Sequence, residues 1–209
     1  MVYTEAKIAK ILLETSAIKL SPDNPFKWSS GWNSPIYCDN RTVLSYASHR
    51  REIKKMLSAK IAEQFKGVDT IIGVATAGIA MGALVAEEME LSYAYCRPEP
   101  KAHGLKRQLE GKVDKDAKIV VLEDLISTGG SSLKVVEYLR AEGYNVMGMA
   151  AIFTYGFQVA EDNFKDADCE YLTLGNYSSM IEEAVSSGYV KEEDLAKLAE
   201  WRENPATWG

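Results

Sequence analysis

The sequence predicts an α/β fold: a central, mainly parallel sheet flanked by helices. Short apolar runs of strand length alternate along the chain with amphipathic stretches of helical length. Small residues and glycines mark two of the turns that lead from a strand into a helix. Because strand, helix and strand follow one another, right-handed crossovers place the successive strands parallel.

Composition places the chain among globular proteins that form one large domain, here residues 1–209. It is 46% hydrophobic and 26% charged, and it contains no apolar run long enough to span a membrane. Residues 1–5 lack the basic start and apolar core of a signal peptide. Cys38, Cys96 and Cys169 are scattered, which indicates a reducing cytoplasm. The net charge of −6 argues against a nucleic-acid partner.

The elements are predicted in order from hydrophobic periodicity and from turn residues. The amino-terminal part holds a helix at 3–18, two short strands around a turn within 26–41, and a helix at 45–65. The central part holds strands at 68–74, 91–96, 119–122 and 145–153, with helices at 79–90 and 131–140 and a long charged loop at 97–113. The carboxyl-terminal part holds an edge strand at 170–174, helices at 176–186 and 191–202, and a tail at 205–209 whose Trp208 docks.

Residues 118–132, KIVVLEDLISTGGSS, combine two features that suit a sugar phosphate. Glu123 and Asp124 follow a buried apolar run, so they lie at the carboxyl end of a strand, where open α/β sheets bind ligands. Small and hydroxylic residues follow, and they can direct backbone N–H groups onto a phosphate at a helix N-terminus. These residues are Ser127, Thr128, Gly129, Gly130, Ser131 and Ser132. We expect the phosphate in this cradle and the sugar hydroxyls on the carboxylates.

This motif resembles the phosphoribosyl-pyrophosphate motif of the type I phosphoribosyltransferases. The resemblance implies that family's fold over nearly the whole chain. It also implies a small N-terminal hood, from about residues 1–41 plus the carboxyl-terminal part, on a core of about residues 45–175. Residues 75–78, Ala-Thr-Ala-Gly, resemble the family's pyrophosphate loop, in which a peptide that is often cis turns backbone N–H groups onto the leaving group. Thr76 and Ala77 are its candidate residues.

Two further segments resemble the orotate phosphoribosyltransferases within that family. Residues 26–41, FKWSSGWNSPIYCDNR, are similar to the hood that closes over the base. Arg97, Lys101 and His103 belong to an Arg-x-x-x-Lys-x-His-Gly sequence that resembles the catalytic loop. The resemblance implies that this loop neutralises the departing pyrophosphate, that Lys101 or His103 donates a proton, and that the loop reaches the neighbouring site of a homodimer.

The implied reaction joins orotate to 5-phosphoribosyl 1-pyrophosphate, with Mg²⁺ held mainly by the substrate and Glu123 and Asp124 nearby. The catalytic candidates are Arg97, Lys101, His103 and Asp124. Tyr37, Thr128 and Tyr155 are candidates for the base, although many family members carry an arginine for the orotate carboxylate where Tyr155 stands. Two alternatives stay open: a phosphoribosyltransferase for another base, such as a purine or uracil, and a non-enzymatic regulator that senses the ribosyl pyrophosphate.

Overall fold

A six-stranded, mainly parallel sheet forms the centre of the molecule. The computed structural model describes residues 4–28, 31–100 and 108–208. The sheet strands are β5 (Thr70–Val74), β6 (Ser92–Cys96), β7 (Leu109–Glu110), β8 (Lys118–Ile126), β9 (Asn145–Thr154) and β10 (Tyr171–Asn176). Their order is β10-β9-β8-β5-β6-β7, and only β7 runs antiparallel to its neighbour. The predicted parallel sheet, with residues 170–174 at its edge, is confirmed.

Helices cover both faces of this sheet because its inner strands are apolar on both sides. The described helices are α1 (Glu5–Glu14), α2 (Ala47–Gln64), α3 (Gly78–Met89), α4 (Gly130–Ala141), α5 (Gln158–Asp166), α6 (Tyr177–Ser186) and α7 (Leu195–Glu203). Alternate residues of β8 enter two separate cores. One core includes Val120 and Leu122 with α1, α2, α3, α6 and α7. The other includes Ile119 and Val121 with α4 and α5.

Two small antiparallel ribbons precede the sheet. In the first ribbon, β1 (Ile18–Leu20) pairs with β4 (Ile36–Cys38). In the second, β2 (Phe26–Lys27) pairs with β3 (Asn33–Ser34). The 3-10 helix Asn40–Ser45 then leads into α2. These ribbons place residues 26–41 beside the carboxyl end of β8, since the side chain of Asn40 reaches the carbonyl oxygen of Asp124.

Several predicted boundaries need correction. The helix predicted at 3–18 ends at Glu14, and Ile18 begins β1 instead. The strand predicted at 119–122 runs from Lys118 to Ile126, so it includes the acidic pair. The loop predicted to last until residue 113 contains β7, which pairs with β6. The sequence did not predict α5, whose only buried side chains are Ala160 and Phe164.

Candidate active site

The acidic pair lies on β8 just beyond the end of the neighbouring strand. The pairing of β5 with β8 ends at Gly73 and Leu122, one residue before Glu123. The carboxylate of Glu123 is buried and accepts two hydrogen bonds: from the N–H of Asp124 at 3.0 Å and from the hydroxyl of Ser132 at 2.9 Å. Asn40 donates its side-chain amide to the carbonyl oxygen of Asp124 at 2.7 Å. The pair is therefore held from β8, from α4 and from the amino-terminal part.

Burial makes the two carboxyl groups unusually basic. Burial, followed by the charge of Asp124, raises the pKa of Glu123 to about 8. Burial likewise raises the pKa of Asp124, while the nearby Arg41 opposes that shift. Arg41 itself makes a bidentate ion pair with Asp39, with bonds of 2.6 and 2.9 Å. Because the pKa of Glu123 lies above neutral pH, the acidic pair carries less than two full negative charges there.

The turn after β8 is fixed at three points. The hydroxyl of Thr154 and the N–H of Tyr155 both donate to the carbonyl oxygen of Ile126, at 3.0 and 3.3 Å. The side-chain amide of Asn163, on α5, donates to the carbonyl oxygen of Thr128 at 2.9 Å. Gly129 has a φ of +79°, and a Cβ there would lie 2.7 Å from the ring of Phe164. A side chain at this position would collide with Phe164, so the turn requires glycine here.

The same turn opens α4 without a side-chain cap. The first backbone N–H groups of a helix lack partners inside the helix, and they attract anions. Ser127 and Thr128 are partly buried at the turn, whereas Gly130 and Ser131 are exposed. Ser132 differs from the other predicted cradle residues because it is buried and its hydroxyl is bonded to Glu123.

A second turn, between β5 and α3, lies close to the acidic pair. The peptide between Ala75 and Thr76 is cis, as the resemblance implies. Thr76 is exposed, Ala77 is partly buried, and α3 begins at Gly78 without a side-chain cap. A Cβ at Gly78 would overlap the carbonyl oxygen of Leu122. Glycine thus lets the first turn of α3 approach β8 directly beside Glu123.

An open pocket of about 470 Å³ lies next to these turns, and we call it the aromatic pocket. Its lining residues are Lys27, Trp28, Tyr37, Cys38, Leu125, Ser127 and Tyr155. Leu125 follows Asp124 directly and Ser127 lies two residues further on, so this pocket adjoins the acidic pair. The structure therefore brings the predicted base candidates Tyr37 and Tyr155 together at one pocket. They differ in setting, since Tyr37 is 41% exposed and Tyr155 is 2% exposed.

Contacts between aromatic rings attach the wall of this pocket to the core. Trp28, at the end of β2, has its ring centroid 5.3 Å from that of Tyr155 and 5.6 Å from that of Trp201 on α7. Its indole N–H donates to the carbonyl oxygen of Ile36 at 3.1 Å. Tyr155 also contacts Phe157, with a centroid distance of 5.3 Å. Tyr155 is thus a packed wall residue, and burial raises its pKa well above the usual range.

The predicted catalytic loop is described only at its start. Arg97 follows β6 directly, its Nε lies 3.9 Å from Oε1 of Glu110, and its guanidinium carbon lies 5.9 Å from the ring centroid of Tyr95. Lys101 and His103 lie outside the described residues, as does Ser29 of the hood. Their roles stay predictions.

Four residues that shape the site were not predicted from the sequence: Lys27, Asn40, Arg41 and Asn163. The first three belong to the quoted hood sequence, where they had no assigned role. Asn163 lies on the helix that was not predicted, and its contact with Thr128 spans 35 residues of chain. Local sequence patterns do not encode such a contact.

A parallel sheet with an acidic pair, an uncapped helix start and a second small-residue turn at one edge defines a phosphoribosyltransferase. Residues 43–187 match the phosphoribosyl transferase domain family. The orotate phosphoribosyltransferase of Cytophaga hutchinsonii is 53% identical over 208 residues, covering 100% of this chain and 99% of that protein. The orotate phosphoribosyltransferase of Bacteroides fragilis is 52% identical over 204 residues, covering 98% of this chain and 96% of that protein.

A solved structure shows the same architecture. The orotate phosphoribosyltransferase of Aeropyrum pernix superposes with a TM-score of 0.77 at 28% identity, covering 88% of this chain and 99% of that one. The chain belongs to the orotate phosphoribosyltransferase family. The predicted family and the type I phosphoribosyltransferase fold are therefore confirmed.

Proposed function

We propose that this chain transfers the 5-phosphoribosyl group of 5-phosphoribosyl 1-pyrophosphate to orotate, giving orotidine 5′-phosphate and pyrophosphate. This is a step of pyrimidine biosynthesis. The observation that carries the proposal is the buried acidic pair, Glu123 and Asp124, between an uncapped helix start and the aromatic pocket. One side of the pair can hold a phosphate and the other can hold a planar base. Family membership supports the choice of orotate.

In this proposal the ribose hydroxyls bind the acidic pair. Bond breaking at the anomeric carbon leaves positive charge on the ribose, which nearby carboxylates stabilise. The 5-phosphate binds the turn before α4, where Thr128, Gly129, Gly130 and Ser131 offer backbone N–H groups and Ser127 adds a hydroxyl. The anomeric carbon then faces the aromatic pocket, and the base nitrogen attacks from there.

The aromatic pocket is proposed to bind orotate. Tyr37 and Trp28 offer ring faces. Thr128, the third base candidate, does not line the pocket but follows Ser127, which does. Tyr155 closes the wall, so a neutral ring stands where many family members carry an arginine. Of the residues described as lining the pocket, Lys27 alone carries a positive charge. We therefore assign the orotate carboxylate to the side of the pocket nearest Lys27.

The leaving pyrophosphate is proposed to bind the turn at Thr76 and Ala77, together with Arg97, Lys101 and His103. Family resemblance supports a homodimer in which residues 97–104 reach the neighbouring site. In this structure Arg97 faces Glu110, so engaging pyrophosphate requires that contact to open. Lys101 or His103 would donate the proton that the leaving group needs.

Mg²⁺ is the proposed cofactor. The described residues include no cluster of three or more His, Cys, Asp or Glu side chains that could enclose a metal. Two hard oxygen donors, Glu123 and Asp124, do face the site, which suits a cation carried in on pyrophosphate oxygens and keeping most of its water. When bound, such a cation neutralises charge on the leaving group.

A cytoplasmic location completes the proposal. Cys38, Cys96 and Cys169 are all free thiols, as a reducing compartment maintains them. None of the described helices is long and apolar enough to cross a membrane. The single-domain organisation is supported by two contacts: Trp28 against Trp201 joins the two parts of the hood, and the bond from Asn40 to Asp124 attaches the hood to the core.

The test is the loss of orotate absorbance on mixing the protein with orotate, 5-phosphoribosyl 1-pyrophosphate and Mg²⁺. We expect metal-dependent consumption of orotate and formation of pyrophosphate. Asp124→Asn is the matched inactive variant, which should fold normally and lose most of this activity. Turnover of a purine or uracil in place of orotate would indicate a phosphoribosyltransferase for another base. Binding of the ribosyl pyrophosphate without turnover of any base would indicate a non-enzymatic regulator.

A further inference from the structure

Ser132 faces a different direction from the other hydroxylic residues of its turn. Its side chain is 2% exposed, whereas the adjacent Ser131 is exposed. Successive residues of an α-helix point about 100° apart, so the two hydroxyls lie on different sides of the helix. Ser132 points inward to β8, where its hydroxyl meets Oε2 of Glu123 at 2.9 Å.

The hydrogen-bond capacity of this hydroxyl limits what else it can do. A serine hydroxyl has one proton to donate. While that proton is given to Glu123, it is unavailable to the 5-phosphate. The hydroxyl is also screened from solvent, so a phosphate bound at the exposed start of α4 would not reach it without a change in the helix.

The other oxygen of Glu123 is held as well. Oε1 accepts the N–H of Asp124 at 3.0 Å, so the carboxylate is fixed by its own strand on one side and by α4 on the other. Two donors on two oxygens set the plane of the carboxylate. That plane determines which remaining lone pairs can face a ligand.

We propose that Ser132 is a positioning residue: it orients the carboxylate of Glu123 toward the ribose hydroxyls and does not bind the 5-phosphate. This inference rests on the proposed function. Two adjacent serines at the start of α4 then have different roles. Ser131 faces the phosphate, and Ser132 orients the carboxylate of Glu123.

The first experiment compares two probes by calorimetric titration: ribose 5-phosphate, which carries hydroxyls and phosphate, and inorganic phosphate alone. For Ser132→Ala we expect binding of ribose 5-phosphate to weaken about tenfold, as loss of one hydrogen bond to this carboxyl group predicts. We expect binding of inorganic phosphate to be unchanged. Ser132→Thr keeps the hydroxyl and should restore most of the affinity. Equal weakening for both probes would show that Ser132 binds the phosphate itself.

A double-mutant cycle tests whether the effect of Ser132 on ribose 5-phosphate binding depends on Glu123. In a Glu123→Gln background, Ser132→Ala should have little further effect on ribose 5-phosphate, because the carboxylate it positions is gone. A tenfold effect that persists in that background would overturn the proposal. The control is Ser58→Ala, which removes another largely buried helical hydroxyl, bonded at 2.9 Å to the carbonyl oxygen of Lys54 in its own helix.

The readout that a purely structural role would not move is the difference between the two probes, together with the rescue by Ser132→Thr. Ser58→Ala should leave both affinities unchanged. Unaltered binding of ribose 5-phosphate in a folded Ser132→Ala protein would contradict the proposal. Failure of the wild type to turn over orotate or to bind ribose 5-phosphate would instead count against the proposed function.

Discussion

At the scale of single residues, the site contains polar groups whose burial costs folding free energy. Glu123 is a carboxyl group buried among apolar strands, with a second carboxyl as its neighbour. Asn40 is 1% exposed, and its side-chain oxygen has no hydrogen-bond partner among the described residues. Such costs persist in a fold when the residues serve binding or catalysis.

The raised pKa of Glu123 predicts how the stability of the ligand-free protein depends on pH. The native state holds this proton up to about pH 8, whereas the unfolded chain releases it near the ordinary value of 4.5. Because the native state binds more protons in that interval, the free energy of unfolding should fall as pH rises from 4.5 to about 8. Urea unfolding of the wild type and of Glu123→Gln at several pH values measures this effect.

Glu123→Gln cannot titrate, so its stability should depend less on pH across that interval. Parallel curves for the two proteins would show that Glu123 ionises normally.

Gly129 gives a second prediction at this scale. Alanine there meets both an unfavourable φ of +79° and the ring of Phe164, whereas alanine at Gly143 meets a φ of +82° in open space. We expect Gly129→Ala to lower the free energy of unfolding by about 1–3 kcal/mol more than Gly143→Ala, since only the former overpacks the core. Thermal unfolding of both variants measures the difference. Equal losses would mean that Phe164 moves aside without cost.

At the scale of elements, the site is held by segments that are far apart in sequence. The 3-10 helix Asn40–Ser45 reaches β8 through Asn40, across 84 residues of chain. The strand β5 ends before Asp124, so a side-chain amide takes the place of a ladder partner there. The amino-terminal part is thereby attached to the acidic pair itself.

Asn40→Ala tests this attachment. Removing the amide leaves the carbonyl oxygen of Asp124 without its donor, and we expect a loss of about 1–3 kcal/mol in the free energy of unfolding, together with reduced turnover. The matched control is Asn24→Ala, at an exposed turn before β2. A stable Asn40→Ala protein with full activity would show that water replaces the amide at no cost.

The sequence predicted the elements that carry strong local signals. The strand at Ile119 to Leu122 and the helix after it were found because apolar periodicity and a glycine turn coincide there. The strand β1 is three residues long and its partner β4 lies well away in sequence, while α5 buries two side chains. Neither has enough periodicity to be recognised alone.

The candidate site was also predicted only where its signals are local in sequence. Glu123 and the turn after it could be predicted because strand ends and glycine turns are local features. The inward orientation of Ser132 could not be predicted, because it depends on where α4 packs against β8.

At the scale of the whole molecule, one aromatic cluster joins the two ends of the chain. Trp201 on α7 is fully buried and contacts Trp28, Tyr155, Phe157 and Tyr177 at centroid distances of 5.4 to 5.6 Å. The tail adds Trp208, which is partly buried against the same core. The pocket wall near residue 28 therefore depends on a helix near residue 201.

Trp201→Ala should lower the free energy of unfolding by about 3–5 kcal/mol, because it empties a large site in the core. Weaker orotate binding should accompany this loss, since Trp28 loses a supporting ring. Trp208→Ala, at a partly buried position, should cost much less. Urea unfolding and orotate titration measure the two effects. Normal orotate binding in a folded Trp201→Ala protein would separate the cluster from the pocket.

The contact between Trp28 and Trp201 joins segments that a ribosome makes at different times, since synthesis begins at the amino terminus. Once β9 has been made, strands β5, β6, β8 and β9 can pair, but the indole of Trp28 still lacks the ring of Trp201 against which it packs. The edge of the sheet that carries the acidic pair can therefore form on the nascent chain, whereas the wall of the aromatic pocket is completed only after α7 has been made.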